Sequence, residues 1–234
     1  MGKRVAIVQS SYIPWKGYFD LINAVDEFIL FDDAQFTRRD WRNRNLVKTK
    51  DGLAWLSVPM KSTGKYLAPV RDMLTNGHKW RDKHWRTLAA SYARAPYFKE
   101  YGPRFEALYL GSREERLSWV NRSFLEAICE SLGIRTRISW SMDYELVEGQ
   151  TERIVHLCRQ TGTSTYISGP TARSYLGVAA FTAAGMDVVF FDYSGYPEYP
   201  QLFPPFEHRV SILDLLFNEG PHAPRRMLTF GSAP

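Results

Sequence analysis

Cysteine is scarce in this chain, with only Cys129 and Cys158 in 234 residues. A disulfide-stapled secreted fold needs a denser framework. Both cysteines sit among apolar helical neighbours, where they read as small buried residues of a reducing compartment. Long apolar runs are missing too. No stretch approaches the roughly 20 apolar residues that span a bilayer. Charged Lys3 and Arg4 are followed by only a few apolar residues before Gln9 and Ser10, which is too few for a secretory signal, so the expected location is cytoplasmic. The five histidines, His78, His84, His156, His208 and His222, form no short-spaced metal pattern with the cysteines. Gly-x-Ser-x-Gly, Walker and Gly-x-Gly-x-x-Gly signatures are absent, which counts against nucleophilic hydrolysis and dinucleotide redox chemistry. No cofactor is named by the residues.

What remains is an ordinary folded composition with a basic bias. Apolar residues make up 44% and charged residues 24%, which argues against extended disorder. A net charge of +5 and a pI near 9.2 favour an anionic partner, whether nucleotide, phosphate, nucleic acid or lipid headgroup.

Apolar periodicity predicts an α/β fold with a mostly parallel sheet and flanking helices. Residues 5–9 read as a strand, 17–24 as a short helix and 27–31 as a second strand, a β-α-β opening. "LAWLSVP" (53–59) is a further strand candidate. Residues 78–132 turn helical, with Leu117, Val120, Phe124, Leu125 and Ile128 at helical spacing and a stop at Gly133. Residues 134–140 read as a strand, Thr151 as the cap of a helix, and 166–167 and 187–191 as strands. Residues 211–218 read as a helix. The expected division is 1–60 and 134–220 as two halves of the α/β core, 61–133 as a helical insertion or layer, and 221–234 as a loose tail.

Ligands usually bind at the carboxyl ends of parallel strands. Three marked turns fall there: "QSSYIPWKGYFDLI" from Gln9, the segment after the second strand with Asp32, Asp33 and Gln35, and "SGPTARSYL" with Ser168, Gly169 and Arg173. A merely structural turn needs one turn residue and a cap, so Trp15, Lys16 and Tyr18 beside Gly17 suggest contact with a ligand. Asp33 and Asp32 could act as acid, base or Mg²⁺ ligand. His84, on a helix four residues after Trp80, could be a general base, although a helix-face histidine is often structural.

A second concentration is "FTRRDWRNRNLVKTK" (36–50). Arg38, Arg39, Arg42, Arg44, Lys48 and Lys50 face one acid, Asp40, with Trp41, Asn43 and Asn45 interleaved. Guanidinium forks hold phosphate or carboxylate, and an aromatic ring can stack on a base or sugar. The same composition suits RNA, but no recognition-module signature accompanies it. The aromatic loop "DYSGYPEYPQLFPPFEH" (192–208), with Tyr193, Tyr196, Tyr199, Gln201 and Phe206, reads either as a sugar or base platform or as core packing.

Taken in order, "QSSYIPWKGYFDLI", "FILFDDAQFTRRDWRNRN" with "LVKT" and "WLSVPM", "YISGPTARSYL" and "YPQLFPPFEHRVSILDLLFNEG" resemble the WbqC-like family, whose proteins are associated with bacterial lipopolysaccharide and other surface-polysaccharide biosynthesis. The resemblance covers nearly the whole chain and implies a role in O-antigen assembly. A group transferase acting on a nucleotide-activated sugar is the most economical reading, because an anionic carrier matches the basic segment; an amino sugar receiving an acyl or aminoacyl group is one form of it. Trp15-Lys16-Gly17-Tyr18 is also similar in spacing to the His-x-Gly-His turn of HIGH-type nucleotidyltransferases. Both histidines are replaced here, so Lys16 or backbone N–H groups would have to meet the phosphates. A non-enzymatic assembly factor that binds a nucleotide sugar or RNA is the remaining alternative.

Overall fold

The computed structural model describes residues 2–65 and 67–230. Five strands, β1 (Lys3–Val8), β2 (Glu27–Leu30), β5 (Arg137–Trp140), β6 (Thr163–Ser168) and β7 (Asp187–Phe190), lie parallel in the order β5-β2-β1-β6-β7. Val5 to Val8 pair in register with Glu27 to Leu30, and Val5 pairs with Tyr166 on the other side. Side chains alternate between the faces of a strand. Ala6, Phe28 and Leu30 therefore enter one core with Phe19 and Ile22 of α1 (Lys16–Asn23). Val5, Ile7 and Ile29 enter another, with Leu157 of α5 (Gln150–Gln160) and Phe181 of α6 (Val178–Ala183). Burial on both faces explains why β1 and β2 read as continuous apolar runs rather than as alternation. Each such side chain taken from water contributes about 1.5–3 kcal/mol.

The helical region expected mid-chain consists of α2 (Lys79–Tyr92), α3 (Phe98–Gly111) and α4 (Leu117–Leu132). The predicted stripe on α4 is buried, and Gly133 closes the helix at a φ of 75°, a conformation that glycine adopts without steric cost. This region packs on the same core as α1, together with α7 (Ile212–Glu219), which Ser211 caps through its hydroxyl.

Three expectations change. The strand expected at 53–59 lies outside the parallel sheet: β4 (Gly52–Ser57) pairs antiparallel with β3 (Arg44–Thr49), so the later part of the basic segment is a β-strand. Thr151 lies inside α5, behind Gly149, and its hydroxyl accepts from the Gly177 amide at 3.2 Å. The segment after Pro221 is tied down as far as residue 230. Ala223 and Met227 are buried, and the Leu228 and Thr229 amides donate to the Asp20 carboxylate. Residues 231–234 lie outside the described residues. Among the described residues no helix is long and apolar enough to cross a membrane. Cys129 and Cys158 are buried and free, and burial pushes both thiols up to about 12.

His84 belongs to this packing. Its Nδ1 lies 2.9 Å from the Tyr12 hydroxyl, which is 2.6 Å from the Tyr109 hydroxyl, and its ring packs edge-on against Trp80. Burial lowers its pKa from 6.5 to about 4. A histidine with a depressed folded-state pKa takes its proton more readily in the unfolded chain. Stability is therefore intact above pH 6.5 and is lost as the pH falls towards 4, by an amount on the order of 3 kcal/mol. We expect His84→Gln, which cannot titrate, to lose that much less stability than the parent between pH 6.5 and pH 4 in urea unfolding. Parallel pH profiles for the two proteins would contradict this.

Candidate functional site

The sheet order reverses at β1. From it the chain runs outward through β2 and β5, then returns to the other side for β6 and β7. The loops after β1 and β6 diverge there, leaving a crevice at the strand ends, which is where open α/β sheets take their ligands. A cavity of about 540 Å³ occupies this point, lined by Gln9, Trp15 and Tyr18 from the first turn, Ser168 and Gly169 from the end of β6, and Arg42, Tyr175 and Tyr193.

The first turn is built around its aromatic residues. The Trp15 ring lies over the start of α1, so that a Cβ on Gly17 would come within 2.3 Å of it. Only glycine leaves room for the indole there. The far side of Trp15 meets Tyr193 at 5.4 Å and Tyr196 at 5.6 Å between ring centres. The Tyr18 hydroxyl donates to the Gln9 carbonyl at 2.9 Å. Arg42 donates through Nε to Gln9 Oε1 at 2.6 Å and to the Ser11 hydroxyl at 3.1 Å, which brings a cation to the cavity wall. Ile13, fully buried, holds a φ of 37°, an outlier for a β-branched residue. Asn45 clamps this backbone, donating through Nδ2 to the carbonyls of Tyr12 and Ile13 at 3.3 and 3.0 Å. Strain of this kind persists where the surroundings over-determine it.

Two further cavities continue the crevice. One of about 370 Å³ shares Trp15, Tyr18 and Arg42 with the first and adds Ser11, Trp41, Asn45 and Arg209. The next, also about 370 Å³, shares Trp41 and Arg209 with it and is walled by Arg39, Arg44, Trp55 and Glu207.

The structure thus brings Gln9, Trp15, Tyr18, Ser168 and Gly169 around one cavity, Asn45 to its neighbour, and Arg39 and Arg44 to the third. Trp41, Arg42 and Tyr193 line these cavities as well; the remaining residues singled out from the sequence lie elsewhere. Lys16 is buried beneath the aromatic loop, with Nζ donating to the Pro197 carbonyl at 3.2 Å and facing the rings of Tyr196, Tyr199 and Phe206; burial lowers its pKa to about 8. Asp32 is fully buried and accepts from the Ser10 amide at 2.8 Å and from the Ser118 hydroxyl. Burial raises its pKa against the pull of those bonds. Asp33 accepts from Arg71 and the Ser141 hydroxyl. His84 is in the helical layer. An arrangement with Lys16, Asp33 and Ser168 around one cavity is therefore not what the strand ends present; the aspartates turn inward to pin loops, and Ser168 alone faces the crevice. Gln35 accepts at its carbonyl from Gln9 Nε2 at 3.3 Å. Asn43 donates to the Val58 carbonyl at the base of the hairpin. Arg173 is exposed and lies over Phe190. Lys48, grouped from the sequence with the cations of the anion-holding segment, is buried and donates to Gln201 Oε1 at 2.8 Å and to the Pro205 carbonyl. Tyr199 and Gln201 both donate to Asp214.

The cavity linings carry hydroxyls, amides, guanidinium groups and aromatic rings, with Glu207 as their carboxylate. Among the described residues no cluster of His, Cys, Asp and Glu could hold a metal ion. Such a lining can bind an anion and stack on a ring. Arg42 and Tyr193 were visible in the sequence as members of the basic and aromatic segments; Arg209, Trp55 and Tyr175 lie inside quoted segments too, but nothing in those segments marked them as site residues, since each meets the cavities only through the tertiary fold.

Residues 9–226 match the WbqC-like protein family. The chain is 50% identical over 222 residues to Rv1507c, an uncharacterized protein of Mycobacterium tuberculosis, covering 95% of this chain and 96% of that one. No solved structure matches. The chain belongs to the WbqC-like protein family.

Proposed function

We propose that this protein binds a nucleotide-activated sugar in the crevice between the ends of β1 and β6 and acts on it as a group transferase in bacterial surface-polysaccharide biosynthesis. The observation that carries the reading is the cavity at the sheet's reversal point, whose wall combines the aromatic surface of Trp15 and Tyr193, suited to a base or sugar, with the Arg42 cation, suited to phosphate. Among the described residues, those that line the cavity of about 540 Å³ include no histidine, cysteine or carboxylate. Catalysis on this reading comes from holding an activated acyl or aminoacyl donor against the sugar's amine and neutralising charge: the amine nitrogen bonds the carbonyl carbon, the bond to the donor's carrier breaks and the carrier leaves with the amine's proton, and the nucleotide stays on the sugar as the handle by which it is bound. The same absence favours a second reading, an assembly factor that binds the nucleotide sugar without turning it over. Nucleotidyl transfer by a HIGH-like route has less support, because Lys16 is held under the aromatic loop.

Calorimetric titration with a panel of nucleotide sugars tests the binding. Saturable binding to the parent is expected, and Tyr193→Ala and Trp15→Ala should each weaken it about ten-fold or more. A panel that fails to bind, or variants that bind like the parent, removes the crevice from the function. Mass analysis of the ligand after incubation with acyl and aminoacyl donors then separates transferase from binder, since an unchanged mass with tight binding supports the latter.

Gly17 gives an independent check. Gly17→Ala must push the Trp15 ring aside, so it should lower nucleotide-sugar affinity while leaving the far-ultraviolet circular dichroism of the parent. Undiminished affinity would mean that Trp15 has no part in the site.

A further inference from the structure

The outermost cavity differs from the other two in being built on the hairpin. Trp41 and Trp55 are 43% and 45% exposed, with ring centres 5.5 Å apart, and Leu53 beside them is 47% exposed. Large apolar side chains gathered on one open face mark a binding surface more often than single exposed ones do. The face is also cationic. The Arg44 guanidinium lies 4.0 Å from the centre of the Trp55 ring, and its Nε is buried without a hydrogen-bond partner. Arg39 is exposed, and among the described residues neither Arg39 nor Arg44 forms an ion pair, whereas Arg209 is held by Glu207 at 3.3 Å.

Two neighbouring indoles, their planes 40° apart, offer an apolar wall to the C–H face of a pyranose ring, and planar guanidinium forks fit a phosphate or carboxylate. A purely apolar partner would bury two unpaired guanidinium groups at a cost of several kcal/mol. An extended nucleic-acid strand wants a continuous basic track, and Glu207 interrupts this one. We propose that the groove walled by Arg39, Arg44, Trp41 and Trp55 is a second binding site, for a saccharide that carries an anionic group. It opens towards the strand-end crevice through Trp41 and Arg209, which line both the groove and the middle cavity. Its role as the seat of a second substrate rests on the reading of the crevice as a nucleotide-sugar site; its binding does not.

Saturation-transfer NMR and calorimetry with three probes test the proposal: glucose 1-phosphate, a tetrasaccharide of alternating glucuronate and N-acetylglucosamine, and neutral maltotetraose. The expected result is saturable binding of at least one anionic probe, the comparison of the two telling phosphate from carboxylate, with the neutral probe about ten-fold weaker or more. Trp55→Ala should reduce that binding about ten-fold. Arg44→Lys, which keeps the charge and the fold but loses the planar fork, should reduce it several-fold. Tyr193→Ala should leave it within about two-fold while weakening nucleotide-sugar binding. No binding of either anionic probe up to ~10 mM, equal binding of the neutral probe, or undiminished binding in both groove variants would overturn the proposal. So would joint loss of both ligands in each variant, which would mean one long ligand in one trough. A short RNA that binds more tightly than any saccharide, with a steep salt dependence, would assign the groove to nucleic acid instead. If the groove variants behave as expected while the nucleotide-sugar panel fails on the parent, the crevice reading falls and the groove stands.

Discussion

The buried carboxylate of Asp214 holds together the parts from which the crevice wall is made. It stands on α7 and accepts from the Tyr92 hydroxyl of α2 at 2.8 Å, and from the Tyr199 hydroxyl and Gln201 amide of the loop after β7 at 2.7 and 2.9 Å. Burial raises its pKa, and those bonds oppose the rise. Lys48 extends the network into the hairpin through Gln201 and the Pro205 carbonyl. A loop without regular secondary structure leaves its backbone polar groups to find partners individually. Here the helical layer, the hairpin and α7 converge on one charged group to fix it. An unpaired charge at this depth would be strongly destabilising, so these three donors stand or fall together.

Asp20 performs the matching task on the other side. Its carboxylate accepts from Tyr196 at 2.6 Å and from the Thr229 amide and hydroxyl at 2.9 and 2.6 Å. The aromatic loop is thus tied both to α7 and to α1, and Tyr193 and Tyr196 are set against Trp15. Lys16, which the motif would suggest for chemistry, donates to the Pro197 carbonyl of this wall and packs under its rings. What the crevice presents is what those anchors leave facing inward: Trp15, Tyr18, Tyr193, Gln9, Arg42 and Ser168.

The parallel sheet was legible because β1 and β2 are apolar on both faces and the turns after β1 and β6 interrupt the pattern with glycine, proline and polar residues. The helical layer was legible from the spacing of Leu117, Val120, Phe124 and Ile128. The strand β3 was not, because Arg44 and Lys48 stand on either side of Leu46 in a run whose charge masks the alternation. Lys48 itself turned out to be buried. The Asp51-Gly52 pair, a hairpin signal between two strand-like runs, was the available cue. For the site, Trp15, Tyr18, Gln9 and Ser168 could be placed because strand ends in an α/β sheet converge. The orientation of Lys16, Asp32, Asp33 and His84 could not, since each is set by partners more than ten residues away: Pro197, Ser118, Arg71 and Tyr12. A sequence motif names the turn but not the direction in which its side chains point.

The central claim is that the ligand of this protein sits at the reversal point of the sheet, between the ends of β1 and β6 and against the Trp15 and Tyr193 rings. The most direct measurement is a crystal structure of the protein with a nucleotide sugar. The account predicts density for base or sugar stacked on those rings, with phosphate oxygens within hydrogen-bond reach of Arg42. A ligand bound on another face, with the crevice holding only water, would contradict it.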